Sequence, residues 1–411
     1  MNLLLPFDHR FFRARNGTIF SDKSYNYSFF KNRYLKVFDH ISILSRVADV
    51  NSDEHPSEGT EGRGVSVIAL SDWIGPVGYF RQRKRILEIA LREAAKPSAV
   101  IMIGPGGIGA LAYESLHAQG YPIALEVVSD PWEAFQPGAV GHLLRPILRR
   151  WLTNKLRREC LQACAVSYVT NELLQRRYPT AGFSVGVSDV VLSEDSFVCR
   201  SRVFSNATPK TIISVAVMTN GYKGHHVMVD AIRICKAMDV PLSLVMVGDG
   251  PLRCEIERRA EKEGVLDRIR FAGQLPAGAM IRAELDRADL FILPSLTEGM
   301  PRALLEAMAR ALPAVASRVG GVPEVIDSEF MVPPGNAEAL ATKLKCVLSD
   351  PAKMSEMSAC NFRRARDFED SKLSSKRQAF YRQVQAMTEQ HSSLQQSPLL
   401  ISHSDFATSS K

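Results

Sequence analysis

The sequence predicts an α/β protein with two doubly wound, parallel-sheet domains. Short apolar runs alternate with helical patterns through most of the chain, which argues for parallel sheets with helices on both faces. A polar stretch, SEDSFVCRSRVFSNATPK (193–210), separates two such series and reads as an interdomain linker. The length of 411 residues, 45% of them hydrophobic, exceeds what one typical core holds.

In the first series HISILSRV, VSVIAL, AVIMIG, IALEVV and AVSYVT read as buried strands, and RQRKRILEIALREAA and LAYESLHAQG as crossover helices. Residues 46–64 read as a polar loop. In the second series TIISVAV, LSLVMVG, RIRFAG, DLFILPS and PAVAS read as strands, with helices at 225–238, 251–263, 278–287, 301–311 and 336–348. The predicted domains are 1–205 and 206–370, followed by a helix over 371–389 that crosses back to the first domain. The Ser- and Gln-rich stretch 390–411 reads as a disordered tail. In open parallel sheets ligands bind beyond the carboxyl ends of the strands, so two such domains would face each other across a cleft.

The net charge of +7 is spread over many residues and points weakly to a polyanionic or membrane-surface partner. Seven cysteines with no C-x-x-C pair indicate neither a disulfide framework nor a zinc site, and suit a cytosolic protein. MNLLLPFDHRFF carries too short an apolar run for a signal peptide, and no apolar stretch approaches the length of a membrane span. A nucleic-acid partner fits poorly, because no aromatic residues are interleaved with the basic clusters as a stacking platform.

Chemistry is expected on loops that follow strands. In LFILPSLTEGMPRALLEAMA a strand ends near Pro294, a loop carries Glu298, and Pro301 takes a favourable first helical position. Backbone N–H groups at Met300, Arg302 and Ala303, together with the helix dipole, would form a phosphate site that Gly299 lets the ligand approach. Glu306 lies over one turn further on. A carboxylate on each side of a phosphate site suits a ligand with sugar on each side of a diphosphate, which is a nucleotide sugar. The plainer alternative makes Glu298 a dipole-compensating residue and Glu306 a surface residue. In GYKGHHVMVDAI, Lys223 sits on a glycine-flanked loop where an ammonium can neutralise a diphosphate. MVGDGPLR ends another strand with a tight turn at Gly248, Asp249 and Gly250, and FAGQLP could clamp a base with main-chain groups around Gln274 and Leu275. Each feature is common alone, whereas four at strand ends in one half of a chain are not.

Together, the K-G of YKG, the GDGP turn, FAG and the E-x7-E pair of PSLTEGMPRALLEAMARALPAVASRVGGVPEVI resemble the donor domain of family 4 retaining glycosyltransferases of the GT-B fold. The resemblance spans about 210–350. More loosely, FDHRFFRARNGTIFS, RYLKVFDHISILSRV and PIALEVVSDPWEAF resemble bacterial surface-polysaccharide members. It implies transfer of a sugar from a UDP- or GDP-sugar to a saccharide acceptor, with retention and without a catalytic metal or other cofactor. Glu298 would hold the donor sugar, Glu306 the ribose, and Lys223 the leaving diphosphate. Family members often carry an Arg where Val217 stands, and a His of the first domain near the reacting sugar, a catalytic place for which the comparable loop offers Asp130. Asp130 also reads as a helix cap or turn residue. RARNG (13–17) stands where the family places a glycine-rich loop. Rival readings are an epimerase or hydrolase on the same scaffold and a non-catalytic nucleotide-sugar-binding protein.

Two further features compete with this reading. AVIMIGPGGIGALAYESL contains G-x-G-x-x-G at Gly104, Gly106 and Gly109 after a strand, with Glu126 about 20 residues on, the pattern of an NAD site. Against it, Glu126 lies inside a strand, so the glycines read better as a tight strand–helix turn. LLRPILRRWLTNKLRREC (143–160), with Leu144, Ile147, Leu148 and Trp151 on one face among many cations, reads either as a core-packed helix or as one that lies on anionic lipid. The second reading suits a lipid-linked acceptor at the inner membrane face.

Overall fold

The computed structural model describes residues 1–21, 25–51, 58–94, 96, 98–136, 144–206 and 210–396. In chain order its first series comprises β1 (Asn2–Arg13), β2 (Ile19–Phe20), α1 (Tyr27–Tyr34), β3 (His40–Asp49), β4 (Val65–Ser71), α2 (Gly75–Ala94), β5 (Ser98–Gly104), α3 (Gly107–His117), β6 (Ile123–Val127), α4 (Pro131–Ala134), α5 (Arg145–Gln162), β7 (Ala165–Tyr168), α6 (Leu173–Arg177) and β8 (Phe183–Gly186). The second comprises β9 (Lys210–Val215), α7 (His225–Ala237), β10 (Leu242–Val247), α8 (Arg253–Lys262), β11 (Ile269–Gly273), α9 (Ala279–Arg287), β12 (Leu290–Leu293), α10 (Arg302–Ala309), β13 (Ala314–Ser317), β14 (Met331–Val332), α11 (Ala337–Leu348), α12 (Pro351–Ala365) and α13 (Asp370–Gln396). One sheet has the order β4-β3-β1-β5-β6-β7-β8, with β2 paired to β1, and the other β11-β10-β9-β12-β13-β14.

The chain forms two compact units. One holds Met1–Met102, Gly107–Ala124 and the chain from Tyr381; the other holds Ile103–Gly106 and Leu125–Phe380. In the first, the central strand is β1, parallel to β3 and β5. Several of its polar groups meet tertiary partners. Ser45 donates to the carbonyls of Phe7 and His9, His9 bonds Ser21 at 2.8 Å, and Arg10 pairs with Asp72. RARNG turns β1 into antiparallel β2, with Gly17 N–H donating to Ala14 O at 3.0 Å. The later part of α13 packs Tyr381 against Tyr34 at 5.0 Å and against Phe38 at 5.9 Å. This helix runs past the expected end at 389 to Gln396, and nothing in EQHSSLQQ interrupts a helix before Pro398. Residues 397–411, the rest of the expected tail, lie outside the described residues, as do 207–209 of the expected linker and 52–57 of the expected loop.

In the second unit every strand of the β9–β14 sheet is parallel. Apart from the edge strand β11, its residues are mostly buried on both faces, which is why those strands read as apolar runs. Ile212, Leu244, Leu290 and Ile292 meet Val227, Met228 and Ile232 of α7 and Leu340 and Leu344 of α11 in one core cluster. Each such side chain contributes about 1.5–3 kcal/mol of burial. The chain lays down β9, β10 and β11 in one direction, then returns to place β12, β13 and β14 on the other side of β9. The order therefore reverses between β9 and β12, and at such a switch the loops beyond the two carboxyl ends splay apart and leave a crevice.

Candidate active site

The loops flanking that crevice are 216–224 after β9 and 294–301 after β12. They carry Lys223 and Glu298, and the fold brings the two side chains together. Lys223 Nζ donates to Glu298 Oε1 at 2.7 Å, with side-chain exposures of 18% and 7%. Ser295 Oγ donates to the same oxygen at 2.6 Å. Both bonds fall on Oε1, which leaves Oε2 to accept from a ligand hydroxyl, and Lys223 uses one of its three donors on Glu298. The Lys223 ammonium also lies 5.0 Å from the Tyr222 ring centroid.

Backbone contacts hold the loops in this register. Leu296 N–H donates to Tyr222 O at 2.7 Å. Gly224 adopts φ 70°, and a Cβ there would stand 2.1 Å from Pro294 O. His225 is buried, and burial lowers its pKa to about 4, so it is neutral at physiological pH. Sequence reasoning missed Ser295, Tyr222 and His225. Ser295, a hydroxyl three residues before an acid at a strand end, was the readable signal.

The helix start expected after Glu298 is present. Pro301 precedes α10, no side chain caps it, and no acidic residue lies in its first turn, so its N–H groups and dipole are open to an anion. Met300 is buried beneath the turn. A Cβ on Gly299 would lie 3.4 Å from Val128 O, so this loop runs against the end of β6. Glu306, half-buried on α10, has its carboxyl pushed above the usual range by burial, against the pull of Arg302 and then Arg282. A carboxyl with a raised folded pKa stabilises the fold below its unfolded value of about 4.3, and that stability is lost as pH rises through the folded value. Glu306→Gln is therefore expected to raise the thermal midpoint of the unliganded protein at pH 7 and to leave it unchanged near pH 4. Melting curves at the two pH values check this, and equal shifts at both would contradict it.

The turn after β10 packs on the same loop after β9. Met218 N–H donates to Asp249 O at 2.9 Å and Leu252 N–H to Met218 O at 3.0 Å, and the side chain of Asp249 accepts from Gly250 N–H at 2.7 Å. That backbone bond first, and Arg253 second, hold the Asp249 carboxyl below its ordinary range. Gly248 N–H donates to Gly273 O at 2.9 Å, which ties in the end of β11, where Gln274 is exposed and Leu275 half-buried. Val217, in the place of the Arg common in the resembled family, is 43% exposed.

Asp130 lies apart from the Lys223–Glu298 pair in the bonding pattern. It is buried at 4%, caps α4 by accepting from Trp132 N–H at 2.9 Å, pairs with Arg177 and accepts from the Tyr178 hydroxyl. Both of its oxygens are thus engaged by the protein. The G-x-G-x-x-G stretch is a strand–helix turn whose anion position is already filled: Gly107 N–H donates to Asp8 Oδ2 at 2.7 Å, and Arg46 bonds the other oxygen at 3.0 Å. Glu126 is buried inside β6 at 2% exposure. A pyrophosphate at this helix start would have to displace Asp8, so the dinucleotide reading is not favoured.

With this geometry in view, comparison with known proteins agrees. Residues 199–363 match the family model "Glycosyl transferases group 1". That stretch is a glycosyl transferases group 1 domain of GT-B type. Protein CapJ of Staphylococcus aureus is 28% identical over 316 residues, 76% of this chain and 78% of its own. Amylovoran biosynthesis glycosyltransferase AmsK of Erwinia amylovora is 38% identical over 145 residues, 33% of this chain and 35% of its own. Among solved structures, Anabaena HepE in complex with UDP-glucose has a TM-score of 0.61 at 15% identity and covers 92% of this chain and 98% of its own. The fold is the GT-B arrangement of two parallel-sheet α/β domains, as the sequence predicted.

Proposed function

We propose that the chain is a retaining glycosyltransferase of polysaccharide biosynthesis, moving a sugar from a UDP- or GDP-sugar to a lipid-linked saccharide at the inner membrane face. The observation that carries this is the Lys223–Glu298 pair, which joins the two loops at the switch point beside an uncapped helix start. Such a site offers a cation and backbone donors to a diphosphate and a carboxylate to sugar hydroxyls. The UDP-glucose bound by HepE and the amylovoran biosynthesis of AmsK support the same donor and pathway classes.

In the reaction, the bond from the anomeric carbon to the diphosphate breaks and a bond to the acceptor oxygen forms on the same face. The acceptor proton passes to the departing diphosphate oxygen. Lys223 stabilises the charge that develops on that diphosphate, aided by the N–H groups beside Gly299, Met300 and Pro301. Glu298 orients the donor sugar through Oε2, and Glu306 binds the ribose. The turn at Gly248, Asp249 and Gly250 shapes the crevice wall, and main-chain groups at Gln274 and Leu275 hold the base. Asp130 acts as a positioning residue that fixes the segment after β6. The work is placement and charge stabilisation, so turnover should need no divalent metal.

Incubation with UDP- and GDP-sugars and a lipid-diphosphate-linked saccharide tests this by NMR of the product linkage. The expected product keeps the anomeric configuration of the donor and forms equally well in EDTA. An inverted linkage, or free sugar as the sole product, would reject it.

A further inference from the structure

The helix α5 turns Thr153, Leu156 and Cys160 inward, and exposes Leu144 just before it together with Ile147 and Trp151 at 54%, 67% and 55%. The face that sequence alone could place against a core therefore lies in solvent. Between residues 145 and 162 the sequence holds six cations and one acid, Glu159. None of Arg145, Arg149, Arg150, Arg157 and Arg158 has an ion-pair partner among the described residues. Arg145, Arg149 and Arg157 bond backbone carbonyls instead, those of Gln136, Trp132 and Arg177. Elsewhere in the same unit most buried or half-buried arginines meet a carboxylate, as Arg177, Arg253, Arg310 and Arg364 do. Beside the exposed apolar residues, Trp132, Phe135, Arg145, Pro146, Arg149 and Arg150 line a cavity of about 290 Å³. The Arg149 guanidinium lies 3.7 Å over the Trp132 ring.

We infer that this face docks on an anionic phospholipid bilayer. Leu144, Ile147 and Trp151 would enter the interface, and Arg150 and Arg158 would meet lipid phosphates, with one headgroup seated in the arginine-lined cavity. An aromatic side chain flanked by cations suits the boundary between acyl chains and headgroups. A second copy of this chain is a poor occupant, since two α5 faces would bring their unpaired cations together. The inference deepens the lipid-linked acceptor reading and rests on it for its purpose. Vesicle binding is read without donor or acceptor, so either can fail alone.

The test is co-sedimentation of the full chain with vesicles of phosphatidylcholine alone or mixed with phosphatidylglycerol. Two variants accompany it, Ile147→Ser with Trp151→Ser and Arg150→Gln with Arg158→Gln. All four positions are exposed, and melting curves confirm that both variants fold. Binding to the mixed vesicles is expected to exceed binding to the neutral ones at least about tenfold and to fall at high salt. The arginine variant should lose roughly fivefold per cation removed, and the apolar variant should lose binding on mixed vesicles as well. Absence of binding to mixed vesicles, equal binding to both kinds, unchanged binding of both variants, or binding to duplex DNA in place of vesicles would overturn the inference.

Discussion

Lys223→Ala is expected to lower kcat for sugar transfer by about two to three orders of magnitude, the cost of removing one preorganised group that stabilises developing charge. Gly224 behind the residue and the Leu296–Tyr222 backbone bond beside it fix the loop that carries it. Val217 supplies no second cation at the place where the resembled family has one, so the loss should not be buffered. The substitution also strands Glu298, which would keep only the Ser295 hydroxyl as a partner for Oε1. Glu298→Gln separates the two effects, because it keeps the ammonium and removes the charge that competes for it. Steady-state kinetics with a melting curve for each variant make the comparison. A loss in kcat below about threefold for Lys223→Ala would mean that the diphosphate is held elsewhere.

Gly248→Ala should cost about 4 kcal/mol of stability or more. At φ 133° the backbone is in a region open essentially to glycine, and a Cβ would stand 2.0 Å from Ala216 O. The collision is between backbone segments, so no side-chain rotation relieves it. Relief requires moving the loop after β9, which carries Lys223, or breaking the bond from Ala216 N–H to Val247 O, 2.9 Å in length. Gly221→Ala is the control, since its Cβ would meet open space, and it should cost within about 1 kcal/mol. Urea denaturation midpoints give both values. A cost under about 1 kcal/mol for Gly248→Ala would show that the turn after β10 does not brace the crevice.

The second sheet was readable because most of its strands are buried on both faces. TIISVAV, LSLVMVG, RIRFAG, DLFILPS and PAVAS each became a strand with ends within two residues. Lys223 and Glu298 were assignable to strand-end loops by the same rule. Their direct pairing was not, because it depends on the return of the chain to the far side of β9. The strand β1 was harder to read. Pro6, Asp8, His9 and Arg10 break its apolar run, and the groups that satisfy them, Ser45, Ser21, Asp72 and Gly107 N–H, are distant in sequence. For the same reason Gly104–Gly109 imitates a dinucleotide loop: the carboxylate that fills it comes from another strand. The helix α12 did have local signals, Asp350 as cap and Pro351 at its first position, and these went unread. The orientation of α5 had none, since its apolar face fits a core and a lipid surface equally well until its neighbours are known.

The central claim is that a nucleotide sugar binds at the switch point between β9 and β12. Calorimetric titration of UDP- and GDP-sugars into the wild type, Glu306→Ala and Lys223→Ala tests it most directly. The account predicts saturable binding of one of the two nucleotide classes by the wild type, and weaker binding by both variants. Binding that is equal in all three proteins, or binding of NAD in place of any nucleotide sugar, would contradict it.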